Sequence, residues 1–300
     1  MSCNANDHRP IPFFEAPDGC SAHQITIRRN PRMTSSIDQF RSWLGGRLLP
    51  RAQVPAPRTS DHEVATLVRK LRPREGQQPL IRLGPDGDGG YLVPDDLAGI
   101  KACFSPGVSR ISGFERDCAE RGMEVYMADA SVEGPAEQHP AFHFTRRFLG
   151  TSTHGQFVTL PDWLHESIGD SPGDLLLQMD IESHEYPVLL ATPDAILDRF
   201  RIIVIEFHLL PELWNRHFFE LVQPVFERLL RTHCCLHVHP NNYSPSVTRA
   251  GITLFPFMEF TFHRRDRTGE TRPATRFPHP LDRDNTRRPT AVLPRCWYAD

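Results

Sequence analysis

The sequence has no long apolar run and no strong charge of one sign. Its apolar runs are far shorter than the roughly 20 residues that a membrane-spanning helix needs, and the polar residues 1–12 lack the apolar core of a secretory signal. The formal net charge is only -3 over 300 residues, so no electrostatic footprint for nucleic acid is evident. These absences argue against a membrane span, secretion and a nucleic-acid partner.

Paired cysteine motifs are also missing. The chain has seven cysteines, an odd number, and no C-x-x-C spacing. This composition argues against a disulfide scaffold or a zinc knuckle and is typical of a reducing compartment. We therefore expect a cytoplasmic globular protein, with a length that suits one large domain or two small ones.

Proline concentrates at the two ends of the chain. Residues 1–60 mix proline, arginine and serine with little periodicity, which predicts a mostly flexible leader. A short amphipathic stretch at 37–49 is a candidate helix inside it. Residues 61–71 have apolar side chains at helical spacing, so the folded domain is predicted to span residues 61–300.

From residue 80 onward, short apolar runs alternate with helical patterns. The predicted strands are 100–105, 125–128, 142–144, 175–179, 201–207, 234–238 and 253–263, and the clearest helices between them are 114–121 and 218–230. Strands that alternate with helices indicate an α/β fold, with a mostly parallel sheet covered on both faces. Ligands of such sheets bind at the carboxyl ends of the strands.

The first two strands of this pattern end in residues suited to a nucleoside. Ser105 and Gly107 lie in the first turn, where a glycine lets the backbone approach a ligand. The turn lacks the further glycines of a dinucleotide fingerprint, so an ordinary strand-to-helix turn is the alternative. Asp129 ends the second strand, where a carboxylate can bind ribose hydroxyls, or alternatively cap a helix.

The fourth strand is followed by a group of acids. Asp180 comes directly after the apolar run, in the crevice at the strand end. It is also a candidate cap for the next helix. Glu182 and Glu185 are three residues apart and are predicted to share a face of that helix.

The fifth and sixth strands end in acids and histidines. Glu206 and His208 are two residues apart and point the same way from a strand, and His237 and His239 repeat that spacing. If the strands are neighbours, Asp180, Glu206, His208 and His239 converge on one catalytic site. The set would then bind a divalent metal or supply a general base. A structural pair between Glu206 and an arginine is the alternative.

A glycine-rich element precedes the first strand. Asp88, Gly89, Gly90 and Tyr91 would on their own be read as a turn. In order with the strand-end motifs, however, this element resembles the FkbM-like methyltransferases and related methyltransferase-like proteins that carry a D-G-G-Y element. The motifs are Asp88-Gly89-Gly90-Tyr91, Phe104-Ser105-Pro106-Gly107, Tyr126-Met127-Ala128-Asp129, Asp180-Ile181-Glu182-Ser183-His184-Glu185, Ile205-Glu206-Phe207-His208 and His239-Pro240-Asn241-Asn242.

The resemblance implies a Rossmann-like class I methyltransferase fold. Such a fold has seven strands with the last antiparallel, binds S-adenosylmethionine and would include the proline-rich C-terminus. By position, Gly107 would face the methionine part of the cofactor, Asp129 would hold the ribose and Asp180 would lie beside the reactive methyl group. The cofactor-binding set that it implies is Asp88, Gly89, Gly90, Tyr91, Ser105, Gly107 and Asp129. In related metal-dependent sugar O-methyltransferases, acids in places comparable to Asp180 and Glu206 hold magnesium. The candidate ligands for magnesium or another divalent metal are Asp180, Glu206 and His208.

Two positions depart from the family pattern. Ser183 stands where the family's D-I-E-G-x-E element has glycine, and Pro106 lies in a first motif that has few glycines.

The leading hypothesis is an enzyme that methylates an oxygen, a hydroxyl of a sugar or natural product, on a small-molecule or glycan acceptor. The alternatives are an inactive member of the fold that binds a nucleoside or a protein, and another nucleotide-using transferase. Nothing in the sequence indicates an oligomeric state.

Overall fold

The computed structural model describes residues 57–299. The candidate helix at 37–49 and all but the last residues of the predicted leader at 1–60 lie outside these described residues. The helices are α1 (Asp61–Lys70), α2 (Gly113–Ala119), α3 (Leu160–Ile168), α4 (Glu185–Ala191), α5 (Asp194–Leu197), α6 (Arg216–Thr232) and α7 (Arg265–Thr268). The strands are β1 (Arg74–Glu75), β2 (Leu80–Leu83), β3 (Tyr91–Pro94), β4 (Ala102–Pro106), β5 (Glu124–Ala128), β6 (Phe142–Thr145), β7 (Phe148–Leu149), β8 (Phe157–Val158), β9 (Leu175–Met179), β10 (Phe200–His208), β11 (His233–Pro240), β12 (Val247–Arg249), β13 (Ile252–Leu254), β14 (Phe257–Arg264) and β15 (Arg272–Pro273).

Seven strands form one central sheet in the order β11-β14-β10-β9-β4-β5-β6. The pairs from β10 to β6 are parallel, and β14 runs antiparallel to both of its neighbours. The structure thus confirms the predicted α/β class, a mostly parallel Rossmann-like methyltransferase sheet of seven strands with the last strand antiparallel.

The central strands are buried on both faces because their side chains are apolar at nearly every position. Every residue of β9 and of β10 is buried, as expected for strands covered on both sides. Alternate residues of β10 enter different parts of the core. Ile203 and Ile205 pack with Tyr186 of α4, whereas Ile202 and Val204 pack in the cluster under the β2–β3 hairpin.

The last predicted strand is two strands in the structure. Residues 253–263 were expected to be continuous, but β13 ends at Leu254 and β14 begins at Phe257. Pro256 lies in the gap, and proline interrupts a strand because it has no N–H to donate. The split allows β13 to pair with β12 and β14 to enter the central sheet.

The C-terminal segment after β15 packs against the core, and its described residues form only one short 3₁₀ helix, Arg295–Trp297. Leu293 and Trp297 are buried in the main core, and the indole Nε1 of Trp297 donates a 2.9 Å hydrogen bond to the carbonyl oxygen of Thr253. Asn242, after β11, donates to the carbonyl of Thr286 and accepts from its N–H. No helix among residues 57–299 is long and apolar enough to cross a membrane.

Candidate functional site

The exits of β4 and β9 touch at the carboxyl edge of the sheet. Gly107 has φ +92°, and a Cβ atom on it would lie 1.7 Å from the carbonyl oxygen of Asp180. The N–H of Asp180 donates to the carbonyl of Pro106 at 3.3 Å. Only glycine can occupy position 107 without moving the other strand exit. Gly107 therefore sets the spacing at this point of the crevice.

Asp129 connects the exit of β5 to the loop after β4. Its Oδ2 accepts from the N–H of Val108 at 3.1 Å, and its Oδ1 accepts from the N–H and hydroxyl of Ser131 at 2.7 and 2.6 Å. No helix lies between Asp129 and the next strand, β6, so a helix-cap role for Asp129 is wrong. A carboxylate oxygen accepts two hydrogen bonds, and Oδ2 keeps capacity for one further donor.

Three carboxylates surround the imidazole of His208, whose side chain is only 4 % exposed. Its Nε2 lies 3.7 Å from Asp180 Oδ1 and 3.7 Å from Glu182 Oε2, and its Nδ1 lies 3.2 Å from Glu185 Oε1. The hydroxyl of Tyr186 donates to the backbone carbonyl of His208 at 2.6 Å. The imidazole is thus fixed at the centre of an acidic cluster, which we call the His208 cluster.

The chain reaches this cluster through a left-handed turn. Glu182 and Ser183 have φ values of 55° and 78°, and α4 begins only at Glu185. The prediction that Glu182 and Glu185 share a helix face is therefore wrong, and so is a capping role for Asp180, because the N-cap is His184. Glu185 folds back instead, and its Oε1 accepts the N–H groups of Ile181 and Ser183.

A row of ionisable side chains crosses four adjacent strands next to the cluster. In the β-sheet register Glu206 of β10 stands opposite Glu259 of β14, and Glu259 stands opposite His239 of β11. Asp180 follows β9, and its carboxyl group is close enough to Glu206 for each to influence the pKa of the other. The amide of Asn241 donates to Glu206 Oε1 at 2.8 Å. The antiparallel strand β14 thus places the acid Glu259 between Glu206 of β10 and His239 of β11.

Burial and neighbouring charges shift the pKa values of Asp180, Glu206 and His208. Burial raises the pKa of Asp180 to about 7, although nearby His208 lowers it. Burial and the neighbouring Asp180 raise the pKa of Glu206 well above its usual range. Burial alone would lower the pKa of His208, but Glu185 and Asp180 raise it well above its ordinary value. The cluster therefore combines a cationic imidazole with an acid that titrates near neutrality.

A buried hydrogen-bonded chain leads to the same row from the neighbouring strand. The hydroxyl of Ser105 lies 2.6 Å from Glu115 Oε1 and 2.7 Å from Gln178 Oε1. The Nε2 of Gln178 donates to the Tyr91 hydroxyl at 3.3 Å. Asp180 and Glu206 lie close enough to contribute to the raised pKa of Tyr91, after burial. Ser105 is fully buried, so it positions other side chains instead of contacting a ligand.

The D-G-G-Y element forms the loop of the β2–β3 hairpin over this face. Gly90 leaves room for Arg82, because a Cβ there would lie 2.2 Å from the carbonyl of Pro85 and 2.5 Å from the Arg82 guanidinium. Asp88 is exposed and accepts from the side chain of Asn285 at 3.3 Å. Gly89, with φ +75°, completes the turn. Tyr91 is the member of the element that reaches the row.

The structure therefore brings Asp180, Glu206 and His208 together and places His239 apart from them. His239 lies two strands away from Glu206 in the sheet, and its Nδ1 is 3.7 Å from Asp282 Oδ1. The residue that sequence reasoning missed is Glu259, a single acid in the apolar strand β14. Like Glu206, Glu259 is an acid within an apolar run, so the sequence did carry a signal for it. Gln178, a neutral residue inside the buried strand β9, gave no such signal.

The His208 cluster fits a divalent cation. Asp180, Glu185 and His208 each offer one ligand atom, and these atoms lie within 4.8 Å of one another. The second oxygen of Glu185, Oε2, is buried without a hydrogen-bond partner among the described residues, and a buried charged oxygen needs compensation. Carboxylate oxygens with one imidazole are suitable ligands for magnesium or manganese.

Comparison with known proteins gives one family. Residues 119–233 match the family described as the methyltransferase FkbM domain. The match confirms the resemblance that the motifs indicated and identifies a methyltransferase domain. It includes Asp129, Asp180, Glu206 and His208, and it ends before His239. No curated protein matches the chain significantly.

Proposed function

We propose that the protein is an S-adenosylmethionine-dependent methyltransferase that acts on a hydroxyl oxygen of a sugar or natural product. The observation that carries the proposal is the contact of His208 with Asp180, next to the point where Gly107 approaches the Asp180 backbone. It puts an acid–imidazole pair at the carboxyl edge of the sheet, where a class I fold binds its cofactor. The five described cysteines are free, which supports the further proposal of a cytoplasmic location.

The exits of the first, second and fourth parallel strands would hold the cofactor. Asp129 has capacity for one ribose hydroxyl, the loop from Gly107 to Val108 would lie along the methionine part, and Asp180 would face the sulfonium. A cationic sulfonium is stabilised by a nearby carboxylate. When bound, the cofactor would supply an electrophilic methyl group, which the acceptor oxygen attacks with S-adenosylhomocysteine as the leaving group. These features support the cofactor assignment.

The His208 cluster would prepare the acceptor. As the oxygen–methyl bond forms and the sulfur–methyl bond breaks, the hydroxyl proton moves to a carboxylate of the cluster, and a group with a pKa of about 7, as Asp180 has, suits this role at neutral pH. His208 fixes the orientation of that carboxylate. In the alternative arrangement, Asp180, Glu185 and His208 would hold a divalent cation, which would lower the pKa of the acceptor hydroxyl; Asp180 would then be a ligand and would not accept the proton.

Calorimetry with S-adenosylhomocysteine tests the cofactor. We expect micromolar binding to the full chain, and Asp129→Asn should weaken it by roughly tenfold to a hundredfold because a charged hydrogen bond is lost. Asp170→Asn is the matched control, since the Asp170 side chain is fully exposed. Binding of NAD without any binding of S-adenosylhomocysteine would contradict the proposal.

Transfer of a labelled methyl group to a panel of saccharides and hydroxylated natural products tests the reaction. His208→Gln should reduce turnover by about a hundredfold, with S-adenosylhomocysteine affinity unchanged, because the carboxylate that accepts the proton loses the imidazole that orients it and most of its acid–base contribution is lost. His165→Gln, on the exposed surface of α3, should leave both unchanged. Cofactor binding without methyl transfer to any hydroxyl would instead support the inactive alternative.

A further inference from the structure

Two histidines and an aspartate form a second cluster at the edge of the sheet. His237 and His239 lie on one face of β11, and Asp282 approaches them from the C-terminal segment. The Nε2 of His237 is 2.8 Å from Asp282 Oδ1, and the Nδ1 of His239 is 3.7 Å from the same oxygen. One ligand atom from each residue lies within 4.8 Å of the other two.

The cluster is buried and incompletely hydrogen bonded. The His237, His239 and Asp282 side chains are only 4, 8 and 7 % exposed. The backbone N–H of His279 donates a 2.7 Å hydrogen bond to Asp282 Oδ2. The other oxygen, Oδ1, faces the two imidazoles. Both ring nitrogens of His239 are buried without a hydrogen-bond partner among the described residues. A buried polar group without a partner is costly, so the arrangement is incomplete as it stands.

A metal ion would complete it. In a tetrahedral zinc site with bonds of about 2.0–2.1 Å, neighbouring ligand atoms lie about 3.3 Å apart. The two contacts to Asp282 Oδ1, 2.8 and 3.7 Å, bracket this value, and the two imidazoles offer ligand atoms within 4.8 Å of each other, so small side-chain shifts would bring all three ligands to an ion. We propose that His237, His239 and Asp282 bind a divalent transition-metal ion such as Zn²⁺ or Co²⁺, with a water molecule as the fourth ligand.

This site is distinct from the His208 cluster. Strand β14 lies between β11 and β10, the strand that ends in His208, and the second cluster shares no residue with the first. The ligand chemistry also differs. Two imidazoles and one carboxylate favour zinc or cobalt, whereas the oxygen-rich His208 cluster suits magnesium or manganese. The proposal therefore stands independently of the proposed function.

The ion would join the C-terminal segment to the central sheet. Asp282 belongs to the segment, while both histidines belong to β11. Binding of the ion should thus stabilise the folded protein, because the three ligands come together only in the native state.

Cobalt titration of the full chain, freed of any affinity tag and bound metal, tests the site. We expect the visible absorption of one tetrahedral Co²⁺ in the wild type, displaced by Zn²⁺. Asp282→Asn and His239→Gln should each weaken Co²⁺ binding at least tenfold. His208→Gln and the exposed variant His165→Gln should retain the absorption. Zn²⁺ should raise the melting temperature of the wild type but not of Asp282→Asn.

Each other outcome overturns the proposal. A wild type without tetrahedral Co²⁺ absorption contradicts it directly. Loss of the absorption in His208→Gln alone would place the ion in the His208 cluster, and its retention in Asp282→Asn and His239→Gln would place it elsewhere. Asp282→Asn preserves the shape of the side chain, and circular dichroism of each variant establishes that it is folded. If neither ligand variant folds, X-ray absorption of the wild-type Co²⁺ complex decides, because two imidazole ligands are required.

Discussion

Gly107 and Asp180 stand so close that a Cβ atom on residue 107 would lie 1.7 Å from the Asp180 carbonyl oxygen. Their contact joins the exits of β9, the central strand of the sheet, and its neighbour β4. One backbone contact therefore positions both the Gly107 loop, which would lie along the cofactor, and Asp180, which would face its methyl group.

Replacement of Gly107 by alanine should separate these strand exits. We expect Gly107→Ala to weaken S-adenosylhomocysteine binding at least tenfold and to lower the free energy of unfolding by about 2–3 kcal/mol, from overpacking added to a positive φ. Gly122→Ala is the matched control, because Gly122 has φ +83° but nothing within 4 Å of a Cβ atom. It should cost about 1 kcal/mol. If Gly107→Ala and Gly122→Ala had equal effects on binding and on the free energy of unfolding, the close approach of Gly107 to Asp180 would not constrain the two strand exits.

Glu115 is expected to be neutral. The Ser105 hydroxyl has one proton and faces oxygens of both Glu115 and Gln178, so a protonated Glu115 satisfies the chain. Burial, which raises the pKa of Glu115, favours this arrangement over a flipped Gln178 amide beside an ionised Glu115. Glu115→Gln should then change stability at pH 7 by less than about 1 kcal/mol, whereas Ser105→Ala should cost about 2 kcal/mol. Urea unfolding of both variants measures this, and a larger loss for Glu115→Gln would favour the ionised form.

Ser183 carries backbone strain in the turn that leads to Glu185. Its φ of 78° lies in the left-handed region that non-glycine residues rarely adopt. Ser183→Gly should therefore raise the free energy of unfolding by up to about 1 kcal/mol, since relief of strain exceeds the added unfolded-state entropy. Ser171→Gly, at an exposed position without positive φ, should lower it. Thermal melts compare the two, and a lower melting temperature for Ser183→Gly contradicts the argument.

His233 should make the protein sensitive to acid. Burial lowers its pKa to about 4; the acceptor Phe200 carbonyl and Asp198 oppose the shift, and Arg264 and His263 reinforce it. The unfolded chain then binds more protons than the folded chain between about pH 6.5 and 4, so stability present above pH 6.5 is lost as the pH falls. The shift corresponds to about 3 kcal/mol. The stability difference between wild type and His233→Gln should therefore shrink from pH 7 to pH 4.5 in urea titrations, and a constant difference would exclude this role.

The sequence predicted the sheet well because its strands are continuous apolar runs. The run at 175–179 coincides with β9. The shared location of Asp180, Glu206 and His208 was predictable because the carboxyl ends of parallel strands meet at one edge of the sheet. What escaped prediction depends on backbone geometry and on distant contacts. The left-handed turn at Glu182 moves the start of α4, and no local pattern indicates it. Glu259 enters the row only because β14 inserts between β10 and β11, and Asp282 meets His237 across 45 residues.

Strand β14 lies between β10 and β11 although it follows both in the chain. During synthesis, β11 therefore emerges from the ribosome with no partner in the central sheet, and the outer edge of β10 is also unpaired. Both edges remain open until residues 257–264 have been added. A nascent chain that pauses before this point would expose two unpaired strand edges, which are the surfaces that holding chaperones must cover to prevent edge-to-edge aggregation.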